Sequence, residues 1–158
     1  MDKFNWKKDW KKRFDRVCEI KAKSENGKIE EDAPQNRYKN YKKLKLHKYG
    51  NGKFCSLFPV KVGHDEGTYI LTVNGVPYYV GECVDLYKRF NWGYGKISPR
   101  NCYEGGQQTN CRINKEILEA LKNGKRILLY FYKNQNRKSI ETEVISQLVT
   151  RRYWNKKD

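Results

Sequence analysis

Four side chains in this sequence are of types that could do chemistry together: Tyr69, Tyr79, Arg89 and Glu141. The tyrosines stand ten positions apart and the arginine follows ten later, which offers a pair of phenols and a fixed cation. Glu141 lies among Ile140, Val144, Ile145, Leu148 and Val149, and by 100° helical steps it projects within about 30° of the centre of that apolar stripe. Glu143 projects more than ~120° away and is the alternate acid. An ionised carboxylate on an apolar face is costly unless it is paired with a cation or a metal.

What must position these groups is first a hairpin. The stretch from Gly67 to Arg89 reads as strand, tight turn, strand and short helix, with Asn74-Gly75 as the turn signal. Two registers are open. A two-residue turn at Asn74-Gly75 would set Val73 opposite Val76 and point the tyrosines to opposite faces. A three-residue loop, Val73-Asn74-Gly75 with Gly75 left-handed, would set Tyr69 directly opposite Tyr79. The second is adopted, because it separates a wet, tyrosine-bearing face from an apolar one of Ile70, Thr72, Val76, Tyr78 and Val80. Asp85 then reads as the N-cap of a helix through Leu86 to Phe90 that carries Arg89.

The chain has 158 residues, room for one domain and an extension, and a formal net charge of +16. That balance calls for a polyanionic partner, and twelve tyrosines and four tryptophans among the lysines favour nucleic acid over an anionic membrane. Five scattered cysteines form no Cys-x-x-Cys pair, and His47 and His64 are the only histidines, which argues against zinc. The N-terminal MDKFNWKKDWKKRF has no apolar run, so secretion and membrane insertion are not indicated and a reducing cytoplasm is expected.

In chain order, Trp6, Trp10, Phe14, Val17 and Ile20 predict an amphipathic basic helix over residues 4 to 21 whose aromatic stripe packs on the main domain. A polar linker follows. Residues 37 to 53 interleave tyrosines with Lys42, Lys43 and Lys45, a pattern suited to phosphate contact, as a strand pair or an arm. Residues 91 to 110 predict a long loop whose Arg100, Asn101, Gln107, Gln108 and Asn110, with Arg112 just beyond, could read base edges. A helix over 114 to 121 ending at Gly124, a central strand over 126 to 133, and a last helix from an N-cap at Ser139 towards Arg152 complete the reading.

With these pieces placed, the chain resembles the GIY-YIG nuclease superfamily. Gly67-Thr68-Tyr69 is similar to its GIY element and Tyr79-Val80-Gly81 to its YIG element. Arg89, eight residues after Gly81, stands at the family's arginine spacing, Glu141 resembles its helix-borne glutamate, and Asn155 its closing asparagine. Glu82 stands where many members carry lysine, and Gly93, flanked by Trp92 and Tyr94, where many carry tyrosine or histidine. The segment from Pro99 to Asn114 resembles an insertion of restriction-type members.

The resemblance implies an α+β fold with a small central antiparallel three-stranded β-sheet flanked by helices. The nuclease domain would span 62–158, preceded by a basic extension over 1–61. It further implies a metal-dependent DNA endonuclease, of restriction or mobile-element type, acting on double-stranded DNA with Mg²⁺ or Mn²⁺. Glu141 would hold the metal, Tyr69 would orient or deprotonate the attacking water, Arg89 would stabilise developing charge, Tyr79 would position the water or phosphate, and Asn155 would support the site. Cutting both strands would call for a homodimer. The alternative is a module on the same fold that binds nucleic acid without cutting it.

Overall fold

The hairpin pairs into a larger antiparallel sheet than expected. The computed structural model describes residues 8–148 and 153–155; Trp6 and the expected end of the last helix lie outside them. In order the elements are α1 (Lys8–Arg13), β1 (Asp15–Glu19), β2 (Ser24–Glu25), β3 (Lys28–Ile29), β4 (Glu31–Asp32), β5 (Phe54–Cys55), β6 (Gly67–Val73), β7 (Val76–Cys83), α2 (Leu86–Arg89), α3 (Gln108–Lys122), β8 (Ile127–Lys133) and α4 (Arg137–Leu148). Strands β1, β8, β6 and β7 form one sheet in that order, every pairing antiparallel. The class is α+β, with four strands where three were expected.

The extra strand comes from the N-terminal segment, so the helix expected over 4 to 21 is corrected. Helix α1 stops at Arg13, and the chain extends as β1 along β8, with Asp15 opposite Phe131 and Glu19 opposite Leu128. The expected docking of the aromatic stripe holds for Trp10 and Phe14, which pack with Ile70, Val80 and Val144. The indole of Trp10 also donates to Gln147 Oε1 at 2.9 Å, tying α1 to α4. On the other face of the sheet α3 seats Ile113 and Ile117 against Tyr69, Leu71, Leu129 and Phe131. Ile20, Cys55, Phe58 and Val60 belong to that same cluster, so residues on both sides of position 61 share one core.

The turn differs from the adopted register. Asn74 and Gly75 both have positive φ, 49° and 80°, and Val73 faces Val76, which is a two-residue turn. That geometry alone would point the tyrosines apart. The ladder then slips: Thr72 faces Pro77 while Leu71 faces Tyr79, which leaves Tyr78 as the extra residue of a bulge. Pro77 has no N–H to give to a ladder, and a bulge on edge strand β7 is where a sheet tolerates that loss. The slip inverts the alternation, so Tyr69 and Tyr79 return to one face.

That face is not wet. Tyr69 is 1% exposed and sits in the larger core cluster, while Ile70 and Val80 are buried on the opposite side. Helices cover both faces. The last helix starts at Arg137, two residues before the expected cap, and the Ser139 hydroxyl donates to Asn136 O from inside the first turn. Its stripe of Ile140, Val144 and Ile145 packs as expected. Among the described residues no helix is long and apolar enough to cross a membrane.

Candidate active site

Tyr69 and Tyr79 meet through a third tyrosine. Their ring centroids are 6.1 Å apart, and the hydroxyl of Tyr94 lies 2.5 Å from that of Tyr69 and 3.3 Å from that of Tyr79. Burial pushes the Tyr69 and Tyr94 phenols well above their usual range; the charge of Tyr79 adds to the effect at both and Arg89 opposes it at both. Tyr79 is the most exposed of the three, at 8%, against 1% for each of the others. Gly81 is what lets this cluster form: a Cβ there would fall 2.3 Å from the Tyr69 hydroxyl oxygen. Gly67 answers a different contact, with β8: its Cβ would lie 2.2 Å from Tyr132 O.

Tyr94 was not among the sequence candidates because it stands five residues after Arg89. Helix α2 begins as read, with the Asp85 carboxylate accepting from the Lys88 N–H at 2.9 Å. It then widens into a π-helical turn over Phe90–Tyr94, closed by Gly95 N–H donating to Phe90 O at 2.7 Å. A π turn takes up one more residue per turn, so Tyr94 faces where a residue four beyond Arg89 would face on an α-helix. The clue in the sequence was Gly93, where the resemblance calls for an aromatic residue or histidine, with Tyr94 beside it.

Arg89 is half-buried, with its guanidinium carbon 5.9 Å from the Tyr94 ring centroid and Nη2 making a long 3.5 Å bond to Glu82 O. Among the described residues it has no carboxylate ion pair. Its charge is nevertheless felt by Glu141 on α4. Burial and the charge of Glu82 push the Glu141 carboxyl up to about 7, against the pull of Arg89. Glu141 has no hydrogen bond or ion pair among the described residues, whereas Glu143 is exposed and accepts from Gln147 Nε2 at 3.5 Å.

Glu82 already has a partner. Arg137, in the first turn of α4, places Nε 2.6 Å from Glu82 Oε2 and Nη1 2.7 Å from Glu66 Oε2. The Nε–H is not aligned for a hydrogen bond, so the contact with Glu82 is an ion pair only. A cation therefore does stand beside position 82, supplied by the neighbouring helix. The sequence hid it because Arg137 falls before the expected helix start.

Asn155 grips the edge strand. Its Oδ1 accepts from Val80 N–H at 2.9 Å and its Nδ2 donates to Val80 O at 2.8 Å, as a paired strand would. Trp154 N–H donates to Tyr78 O at 2.8 Å and Tyr153 stacks on Tyr78 at 4.1 Å, so residues 153–155 pin the bulge.

The structure joins the two expected DNA-binding segments into one layer. Glu104 N–H donates to Lys45 O at 2.8 Å, Leu46 pairs with Tyr103, and His47 N–H donates to Cys102 O at 3.1 Å. Lys42, Lys43 and Lys45 are exposed, as are Gln107 and Gln108; Arg100 and Asn101 are half-buried. Two candidates are engaged within the fold: Asn110 is largely buried, donating to Gln107 Oε1 at 2.8 Å while it lines a cleft, and half-buried Arg112 donates to Trp154 O. The long loop is also shorter than read, since the π turn, a 3₁₀ turn over Pro99–Cys102 and the start of α3 take up much of it.

A cleft of about 360 Å³ opens between this layer and α2, with Arg89 in its wall. Among the described residues no three His, Cys, Asp or Glu side chains converge; Glu141 does not line the cleft, and a metal in the candidate site would rely on it as the principal protein ligand. A half-buried carboxyl without a partner, beside a second acid, fits that task. In comparisons with known proteins, no family, no curated protein and no solved structure matches this chain.

Proposed function

We propose that the chain is a metal-dependent DNA endonuclease of the GIY-YIG kind, of restriction or mobile-element type. The observation that carries this is Arg89, a half-buried guanidinium beside the Tyr94 ring that has no carboxylate ion pair among the described residues and whose charge is felt at Tyr69, Tyr94 and Glu141 alike. Such a group is poised for a phosphate. Glu141 would hold Mg²⁺ or Mn²⁺, and the bound ion would neutralise phosphate charge and make water more acidic. Arg89 binds a phosphate oxygen and stabilises the charge that develops there.

Among the tyrosines the roles divide by access. Tyr69, expected to handle the attacking water, is sealed and its phenol is held protonated by burial, so it is a positioning residue here. Tyr79, the most exposed, presents its hydroxyl to the water or the phosphate. Tyr94 links the two and fixes the Tyr79 ring. Asn155 keeps the strand that carries Tyr79 from fraying. The lysines of the 42–45 arm supply the sequence-independent grip on the double-stranded DNA backbone.

One observation favours a second reading, a module that binds nucleic acid without cutting. The acid at position 82 and its partner Arg137 occupy a place where the resemblance calls for a lone cation. Supercoiled plasmid incubated with pure protein and Mg²⁺ or Mn²⁺ separates the readings. Discrete bands on a gel are expected for a sequence-specific nuclease and a smear for a non-specific one. Retarded but intact plasmid would support the binding module instead.

A further inference from the structure

We infer that the cleft beside Arg89 is a nucleotide subsite, in which Trp92 stacks on one base of the substrate and amides across the cleft read that base's edge. The inference rests on the nuclease reading and names where its substrate sits.

Large apolar side chains are expensive to leave in water, yet two of them line this one cleft: Trp92, 62% exposed, and Val84, 65% exposed. Trp92 is held in place, with Tyr87 edge-on at 6.0 Å and the Lys88 ammonium 5.4 Å from its ring centroid. A fixed, exposed indole is a stacking platform for any base, and the ammonium beside it suits the attached phosphate.

The opposite wall carries the hydrogen-bonding groups. Asn101 uses its Oδ1 to accept from Gln107 N–H at 3.2 Å, and Gln107 uses its Oε1 to accept from Asn110. Their amide nitrogens, Asn101 Nδ2 and Gln107 Nε2, have no acceptor among the described residues. Asn110 is 3% exposed, lines the cleft, and its Oδ1 receives no hydrogen bond among the described residues. Two free donors and one free acceptor in a cleft that also holds an indole match the edge of a nucleobase. Arg89, on the α2 side of the same cleft, would take the phosphate, which sets the stacked base next to the cleavage point.

The shared chemistry, a flat base with its phosphate, could come from nucleic acid or from a free nucleotide, and the basic arm beside the cleft favours nucleic acid. The test follows tryptophan emission while a single-stranded DNA dodecamer, or dAMP alone, is added to the full chain. Trp10 and Trp154 are buried, and Trp92→Phe supplies the control for the remaining emission. The dodecamer is expected to quench wild type and to bind it more tightly than dAMP does. Trp92→Phe should lose most of the quenching but keep affinity within a few-fold. Trp92→Ala should weaken dodecamer binding about five- to a hundredfold and raise KM for duplex cleavage by a similar factor. Normal binding and cleavage by Trp92→Ala, with Glu141→Gln inactive, would overturn the subsite and leave the nuclease standing. Quenching lost in Trp92→Phe with no cleavage by wild type would uphold the subsite and remove the nuclease. Tighter binding of dAMP than of the dodecamer would overturn the nucleic-acid occupant.

Discussion

The two faces of the sheet hold the two halves of the candidate site, and they are built by different forces. On the α3 face, Tyr69, Tyr94 and Tyr79 are locked by packing, with hydroxyls satisfied by one another and almost no contact with water. On the α4 face, Glu141, Glu82 and Arg137 are half-exposed and arranged by charge. Arg89 at the end of the hairpin is the group felt on both sides. The contrast teaches that the aromatic half fixes geometry and the charged half is left adjustable, able to change protonation or accept an ion.

The sharpest way to break the comparison is to remove the group common to both halves. Arg89→Ala is expected to cut the cleavage rate by about 10²–10³-fold, the usual cost of one charge-stabilising donor, as read in single-turnover assays. Gly81→Ala attacks the aromatic half alone. Its new Cβ would overlap the Tyr69 hydroxyl, so a loss of about 1–3 kcal/mol in urea denaturation is expected, with the α4 face untouched. Tyr94→Phe removes the hydroxyl between Tyr69 and Tyr79 and should cost about 1–3 kcal/mol by the same measurement, since it leaves buried hydroxyls unpaired.

The charged half is read through pH. The carboxyl of Glu141 is raised to about 7 in the folded protein from an ordinary 4.5, so the folded state holds a proton that the unfolded state has released between those values. Metal-free stability should therefore fall as pH rises from about 4.5 through 7, and Glu141→Gln should flatten that slope. Affinity for Mn²⁺, followed by calorimetry, should rise across the same window as the proton leaves.

Much of the fold was legible because it is locally encoded. The Asp85 cap, the helix ending at Gly124 and the apolar run of β8 each announce themselves within a few residues. Strand β1 did not, because an edge strand carrying Asp15, Arg16 and Glu19 has no apolar alternation of its own, and its partner β8 lies more than a hundred residues away in sequence. The hairpin shows a subtler failure. The turn was read one residue too long, yet the tyrosines share a face, because a bulge at Tyr78 restores the parity. That bulge depends on Pro77 and on Tyr153, Trp154 and Asn155 at the far end of the chain. Tyr94 and Arg137 were hidden for a related reason: a π turn and an early helix start shift residues off the spacing that pattern reading assumes.

The most direct test of the central claim compares wild type with Glu141→Gln on the same DNA, scoring cleavage on a gel and binding by mobility shift in Ca²⁺. Cleavage lost with binding within a few-fold of wild type is the predicted result. Glu141→Gln cutting at the wild-type rate would contradict the account.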